Sequence, residues 1–353
     1  MNCRKNTPIR MLILGLTGQC NFACVYCYAD NHPQPRMSFE TARQAIDMAA
    51  AGGEKFVVQL SGGEPLLAFG LIEEITAYVE QKRLPAILQI QTNASLIDRR
   101  IANFFREHKI GVGISMDGRP VQNDELRRLP DGSGTSRMIL AGVATLAAAG
   151  VSTGITCVVT DSNVRQLGGI VEMAYYMGNV GKIGFDLLRA QGRGAAIKPA
   201  DAADLRLALQ QVLEIADKMK HATGKSLIFA HRERVDSLRC QCSSGFAHCH
   251  AMNGEAAFVN SMGEIFACAS LSGLSEFRLG NVAAGIEPER TRQIGERIRD
   301  SMKFCPACDS FSLCGGGCFA RWFGAGCNAT GYPSECELKQ TFIRDCQARK
   351  GEA

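Results

Sequence analysis

The chain carries little net charge for its size. Thirty-nine Lys and Arg face thirty-five Asp and Glu over 353 residues, which leaves +4. That balance excludes a dedicated nucleic-acid binder, which would carry a basic stripe. The most basic stretch, Glu289-Arg290-Thr291-Arg292 through Arg297-Ile298-Arg299, is interrupted by acids and reads as a solvated helix face. A long hydrophobic run is also missing. Residues 11–16 are apolar and follow Arg4, Lys5 and Arg10, but they are far too few to span a bilayer. No small-residue cleavage site follows them, so they read as a buried strand rather than a secretory signal. No repeat of fixed period and no low-complexity segment is present. The remainder, 46% hydrophobic and 21% charged, is globular composition sufficient for one large domain and a smaller one.

Apolar runs alternate with helical patterns. Candidate strands cover 11–16, 56–60, 86–91, 111–116, 152–159 and 182–188, and candidate helices 38–51, 71–82, 98–108, 135–149 and 164–177. Ser38 opens the first helix as a cap, followed by Phe39, Ala42, Ile46 and Ala49 on one face. Glycines close helices or open the next strand at Gly52, Gly111, Gly150 and Gly178. Repeated strand–helix units predict a parallel sheet with right-handed crossovers, curled into a full or partial barrel. Ligands of such a sheet sit at the carboxyl ends of its strands. After Leu188 the pattern breaks, and residues 201–221 form a long amphipathic helix carrying Leu205, Leu209, Val212, Leu213 and Ala216. The expected divisions are a core barrel over 1–200, a bridging helix and linker over 201–238, and a small Cys-rich domain over 239–353.

Cysteine is abundant. There are sixteen, and eleven of them lie from Cys240 onward. In a secreted chain they would suggest disulfides. With no secretory signal, a reducing cytoplasm and metal-bound cysteines fit better. Three share one short loop, Cys20-Asn-Phe-Ala-Cys24-Val-Tyr-Cys27. An Fe–S cube has four irons, and a complete cage uses four cysteines, so three leave one iron open. The C-x3-C-x2-C spacing, with an aromatic before the last cysteine, resembles the signature of the radical S-adenosylmethionine (SAM) superfamily. The resemblance implies a [4Fe–4S] cluster on Cys20, Cys24 and Cys27 whose open iron binds SAM. It also implies catalysis through a 5′-deoxyadenosyl radical.

Further segments fall at strand ends. Ser61-Gly62-Gly63-Glu64-Pro65 resembles the superfamily's glycine-rich motif, which binds the SAM amino group, with Glu64 a fitting acceptor for an ammonium. Thr92-Asn93 and Ser115 resemble positions near the ribose hydroxyls. Arg127 stands where relatives pair an arginine with the SAM carboxylate, and a guanidinium suits that carboxylate bidentately. Arg128 is an equally plain neighbour. Tyr26 and Leu188 are candidate adenine neighbours, with ordinary core packing as the alternative.

The C-terminal cysteines fall into two blocks, Cys249-x13-Gly263-x4-Cys268 and Cys305-x2-Cys308-x5-Cys314-x3-Cys318-x17-Cys336. Together they resemble the seven-cysteine pattern of the SPASM extension of radical SAM enzymes. The resemblance implies an α/β chain with a partial (β/α)6 radical SAM barrel and a small Cys-rich Fe–S (SPASM) domain. It implies two auxiliary clusters, three [4Fe–4S] in all. One takes Cys249, Cys268, Cys318 and an upstream cysteine, Cys242 in preference to the nearby Cys240. The other takes Cys305, Cys308, Cys314 and Cys336. Taken alone, Cys305 to Cys318 also reads as a zinc knuckle. His248 and His250 read as neighbours of Cys249 rather than ligands. Cys3 and Cys157 read as buried thiols, and Cys327 and Cys346 have no assigned role.

The family's substrates are mostly peptides and proteins. The expectation is a cytoplasmic oxidoreductase-type maturase that abstracts hydrogen from a ribosomally synthesised precursor peptide and installs a thioether or carbon–carbon crosslink. About ten residues precede the first strand, too few for a leader-gripping domain, so a separate leader-binding protein is a candidate partner. Flavodoxin or ferredoxin would serve as electron donor. Sulfatase-maturing relatives carry an aspartate base where this chain has Ala269, which cannot accept a proton. The rival readings are a small-molecule or porphyrin-modifying SPASM enzyme and a non-enzymatic Fe–S or zinc redox scaffold.

Overall fold

The computed structural model describes residues 8–241, 245–247, 249–326 and 332–351. Each expected barrel strand is present: β1 (Met11–Gly15), β2 (Phe56–Ser61), β3 (Ala86–Thr92), β4 (Gly111–Ser115), β5 (Thr153–Val159) and β6 (Val180–Leu187). They pair in parallel in sequence order, and a short β7 (Ile228–Phe229) adds to β6. Burial alternates along the strands. Phe56, Val58 and Leu60 of β2 are enclosed under the helices, while residues between them face the other way. Each such enclosed side chain contributes about 1.5–3 kcal/mol. The crossover helices are α1 (Phe39–Ala50), α2 (Phe69–Gln81), α3 (Arg99–Glu107), the short α4 (Pro120–Leu126), α5 (Ser136–Ala148) and α6 (Gly168–Met177). Ser38 caps α1 by accepting from the Thr41 N–H at 3.1 Å, and Ala42, Ala45, Ile46 and Ala49 form its buried face. The single helix expected over 164–177 is a 3-10 turn, Val164–Gln166, followed by α6. Gly168 and Gly169 sit at that junction, where a helix is least favoured.

The long α7 (Ala202–Thr223) is capped by Asp201 and ends at Gly224 with φ of 71°, in the left-handed region that glycine tolerates. It packs against α6 and the C-terminal α12 (Pro333–Gly351). Between them run α8 (Ala230–Gln241), β8 (Ala256–Val259), β9 (Glu264–Phe266), β10 (Arg278–Asn281), β11 (Gly285–Ile286), α9 (Pro288–Ser301), α10 (Phe311–Cys314) and α11 (Phe319–Gly324). The stretch read as a solvated helix face is α9, where Arg292 pairs with Glu289 and Glu296. β8 pairs in parallel with the free edge of β1, Met11 opposite Ala256, and β9 to β11 continue as an antiparallel meander. One sheet therefore crosses the boundary expected near residue 239, in the order β11-β10-β9-β8-β1-β2-β3-β4-β5-β6-β7. Side chains from the carboxyl ends of β2 to β6 line a single cavity, so the parallel part wraps around it as a partial barrel. Among the described residues no helix is long and apolar enough to cross a membrane.

Candidate active site and cysteine centres

The loop after β1 carries Cys20, Cys24 and Cys27 over a cavity of about 350 Å3. Its backbone is tied from several sides. Ala23 N–H donates to Arg128 O at 2.6 Å, and Val25 N–H to Leu126 O at 2.9 Å. Arg193 donates from its backbone to Cys27 O at 3.0 Å and from Nε to Cys24 O at 2.9 Å. Gly63 N–H reaches Thr17 O at 2.7 Å, and Glu64 N–H reaches Gln19 O at 2.9 Å. A methyl group on Gly62 would meet Thr17 O at 2.3 Å, and one on Gly63 would meet Gln19 O at 2.2 Å. The paired glycines therefore let two loops meet, and Gly62 also holds a φ of 139°. The close approach that the sequence suggested for a ligand is made first by the cysteine loop itself.

The three cysteines line the cavity, Cys20 exposed at its rim and Cys24 and Cys27 partly enclosed. Cys20 Sγ accepts from Phe22 N–H at 3.4 Å, and burial pushes its thiol up to about 12. Burial also raises Cys24, against the pull of the Arg127 guanidinium, whose Nη1 stands 3.9 Å from its Sγ. Thiols so disfavoured as free anions stay protonated until a metal supplies positive charge, and they release protons when it binds. Among the described residues, no three His, Cys, Asp or Glu side chains converge to hold a single metal ion. Thiolates on one zinc stand about 4 Å apart, given Zn–S of about 2.3 Å.

The structure brings most of the expected residues to this cavity: Tyr26, Ser61, Gly62, Gly63, Glu64, Asn93, Ser115 and Arg127 all line it. Three of them have other partners than expected. Glu64 is buried; its carboxylate accepts from Leu66 N–H at 3.1 Å, Thr92 Oγ1 at 2.7 Å and Asn93 N–H at 2.8 Å. Three donors leave little of a carboxylate's acceptor capacity for an ammonium. Arg127 is equally engaged. Its Nε pairs with the fully buried Asp117 at 2.8 Å, and its guanidinium lies over the Tyr26 ring. Tyr26 Oη donates to the same carboxylate, and Asp117 also accepts from Val158 N–H at 2.8 Å. Leu188 is absent from the cavity wall. It packs behind it with Tyr26 and Leu126, so of the two readings core packing describes it. Asn93 Nδ2 donates to Asn21 Oδ1 at 2.9 Å, and Ser115 Oγ accepts from Gln91 Nε2 at 2.9 Å.

Several lining residues were not singled out from the sequence. Gln91, Thr156 and Asp186 are inward-facing positions of β3, β5 and β6, and strand alternation was the signal that marked them. Arg189 and Arg193, on the loop after β6, complete the wall.

The C-terminal cysteines gather as two groups. Cys249, Cys268 and Cys318 each immediately precede a helical turn. Burial pushes the Cys249 thiol up to about 12, and the charges of Cys268 and Cys318 push the same way. Cys268 is raised by burial and by Cys318. The second group is Cys305, Cys308, Cys314 and Cys336. Burial and the charges of Cys314 and Cys305 push Cys336 up to about 11, and Cys308 adds to the rise at Cys305. Cys240, one candidate fourth ligand, is exposed at the end of α8. Cys242, the other, lies outside the described residues, as do His248, Cys327 and Cys3. Cys157 and Cys346 are buried free thiols. His32 joins the two halves: its Nε2 lies 3.1 Å from Ala269 O, beside Cys268, and its ring contacts Phe258 of β8.

Residues 14–174 match the Radical SAM superfamily. An uncharacterized protein of Methanocaldococcus jannaschii is 35% identical over 78% of this chain and 89% of its own length. The mycofactocin maturase MftC of Mycobacterium ulcerans is 28% identical over 91% of this chain and 86% of its own. The AdoMet-dependent heme synthase of Methanosarcina barkeri is 26% identical over 91% and 93%. The solved structure of native anSMEcpe with bound AdoMet and Cp18Cys peptide superposes with a TM-score of 0.79 at 22% identity, covering 97% of this chain and 98% of that one.

Proposed function

Because this chain belongs to the radical SAM superfamily and its fold is that of the SPASM-type enzymes, we propose that it is a peptide maturase acting at the cavity under Cys20, Cys24 and Cys27. The carrying observation is the convergence of three thiols with Ser61, Asn93 and Ser115 on one cavity. Cys20, Cys24 and Cys27 would hold a [4Fe–4S] cluster with one iron open. When bound, that cluster and SAM supply a 5′-deoxyadenosyl radical.

The chain's own residues orient and shield. Ser115 offers its hydroxyl at the end of β4 for the ribose hydroxyls, and Asn93 stands beside it with its Oδ1 already accepting from the Ser95 N–H at 2.9 Å and Oγ at 2.6 Å. Arg127, fixed by Asp117, places positive charge beside Cys24 and at the cavity wall. Tyr26, Leu126 and Leu188 close the recess to water behind it. Two auxiliary [4Fe–4S] clusters, on Cys249, Cys268, Cys318 with Cys240 or Cys242, and on Cys305, Cys308, Cys314 and Cys336, would take up the surplus electron. The reaction is hydrogen abstraction from an unreactive carbon of a precursor peptide. The carbon radical would then bond a nearby thiol sulfur or carbon, whose S–H or C–H bond breaks with loss of a proton, and the one surplus electron would pass to an auxiliary cluster. A separate leader-binding protein and a flavodoxin or ferredoxin are the matching partners.

The relatives favour two substrate classes. The maturase and the peptide-bound structure point to peptides, and the heme synthase to tetrapyrroles. A cavity of about 350 Å3 is at the small end for ligand sites, and SAM itself must share it. A single side chain entering from the mouth needs less room than a macrocycle, which supports the peptide. Sulfatase maturation is disfavoured. Ala269 is no base, and Asp186 does not replace one, because Arg189 and Arg321 hold its carboxyl down at about 2 despite burial.

Anaerobic, iron-reconstituted protein incubated with SAM and a reductant should release 5′-deoxyadenosine. A short Cys- or aromatic-rich peptide encoded beside the gene should raise that yield and gain a crosslink visible by mass spectrometry. Release stimulated by an iron tetrapyrrole and by no such peptide would move the substrate to the other class. No nucleoside at all from iron-loaded protein would remove the enzymatic reading.

A further inference from the structure

A chain of charges, partly buried at the cavity wall and buried beyond it, runs from β6 to helices that carry C-terminal cysteines. It begins at Asp186 on β6 and Arg189 just after it, both in the cavity wall and paired at 2.5 Å. Arg321 on α11 pairs with Asp186 through one nitrogen and with Glu335 through another. Glu335 pairs with Lys339, one turn further along α12, at 3.0 Å. Arg321, Glu335 and Lys339 are each less than a tenth exposed. The network holds three cations against two carboxylates.

Its members are placed beside the thiols. Arg321 follows Cys318 by one helical turn, and Glu335 is the residue before Cys336. Lys339 Nζ donates to Gly316 O, and the same carbonyl lies 3.6 Å from Cys314 Sγ.

Stability does not account for such a network. Well-packed apolar residues in place of buried ion pairs are often as stable or more so. A surplus cation in a buried setting needs an anion. A [4Fe–4S] cluster on four thiolates carries that negative charge, and gains one unit more when reduced. Reduction potentials of such clusters respond to nearby charge and hydrogen bonds.

We infer that Arg189, Asp186, Arg321, Glu335 and Lys339 form a shared counter-charge that raises the reduction potentials of both C-terminal clusters. Arg321 acts mainly on the cluster of Cys249, Cys268 and Cys318, and Lys339 on the cluster of Cys305, Cys308, Cys314 and Cys336. This rests on the proposed auxiliary clusters. The network is a positioning element for electrons leaving the cavity, since two of its members also face the substrate space.

The test is an EPR-monitored redox titration of the full, reconstituted chain with its iron content measured. Arg321→Met and Lys339→Met should each lower the reduction equilibrium constant of the nearer cluster at least tenfold, which is about 59 mV for one electron. Arg321→Lys and Lys339→Arg keep the charge and should stay within about threefold of the parent. Glu335→Gln removes a negative charge and should shift both potentials upward. That reversal of sign is one a merely structural role would not produce, and it needs no variant that strands a carboxylate. Potentials unmoved in iron-replete Met and Gln variants overturn the inference while the clusters stand. A parent chain holding only about four irons overturns the auxiliary-cluster reading, and the inference with it.

Discussion

The cysteine loop at the barrel mouth and the cysteine groups of the C-terminal region use one residue type in two surroundings. At the mouth three thiols sit on a loop hung from backbone hydrogen bonds, above a recess lined by strand-end polar side chains. Two cations face Cys24: Arg127, held by a single carboxylate, stands by its sulfur, and Arg193 donates from Nε to its carbonyl. In the C-terminal region Cys249, Cys268 and Cys318 each precede a short turn or helix, Cys314 ends α10 and Cys336 lies in the first turn of α12, near ion pairs that are themselves buried. The first arrangement leaves room for a second molecule. The second sets its thiols among buried charges, with a smaller cavity of about 180 Å3 beside Cys314 and Lys339. If the proposed clusters form, the difference teaches that donor count alone would not separate a reactive centre from an electron-storing one. The packing around the donors would.

The most direct way to break this comparison is to remove one thiol from each side. Cys24→Ala should reduce 5′-deoxyadenosine release to the level without enzyme, measured by chromatography. Release at the parent rate would show that the reactive centre lies elsewhere. Cys308→Ala should leave release within about threefold of the parent, cost about four irons and abolish peptide turnover. Equal loss of nucleoside in both variants would erase the distinction between the regions. Asp117→Asn strips Arg127 of its buried partner and should destabilise the chain by about 3–5 kcal/mol in denaturant titration.

Acid offers a gentler probe of the C-terminal side. Burial lowers His231 to about 4, and its ring stacks on Phe342. A histidine kept neutral in the folded chain takes up its proton more readily when unfolded. Stability therefore falls as pH drops from about 6.5 toward 4 and is flat above that window. His231→Phe should flatten the fall in a thermal-melting series across those pH values. On the barrel side, Ser38→Ala removes the cap of α1 and should cost about 1 kcal/mol without changing the iron content.

The barrel was legible in the sequence because its signals are local. Each strand is a short apolar run, each crossover helix shows its own period, and each motif falls just past a strand end. The cysteine positions of both halves were equally plain. What escaped depends on distance along the chain. β8 to β11 are two to four residues long, and their place is set by the register of Met11 on Ala256, which no local pattern announces. Glu64 and Arg127 were assigned to a ligand because their types suit it. Their carboxylate and guanidinium instead meet Thr92, Asn93 and Asp117, brought to them by the curl of the sheet. Arg321, Glu335 and Lys339 looked like ordinary helix charges until the fold enclosed them.

The pairing of β8 with β1 bears on how the chain is made. Strand β1 has one neighbour in β2, made soon after it, but its other edge waits for residues 256–259. At about 5–20 residues per second that wait lasts some tens of seconds. Throughout it the nascent barrel presents an unpaired row of amides and carbonyls to every other chain nearby. Slow translation, a premature stop before residue 256 or a shortage of chaperone would each prolong that adhesive state.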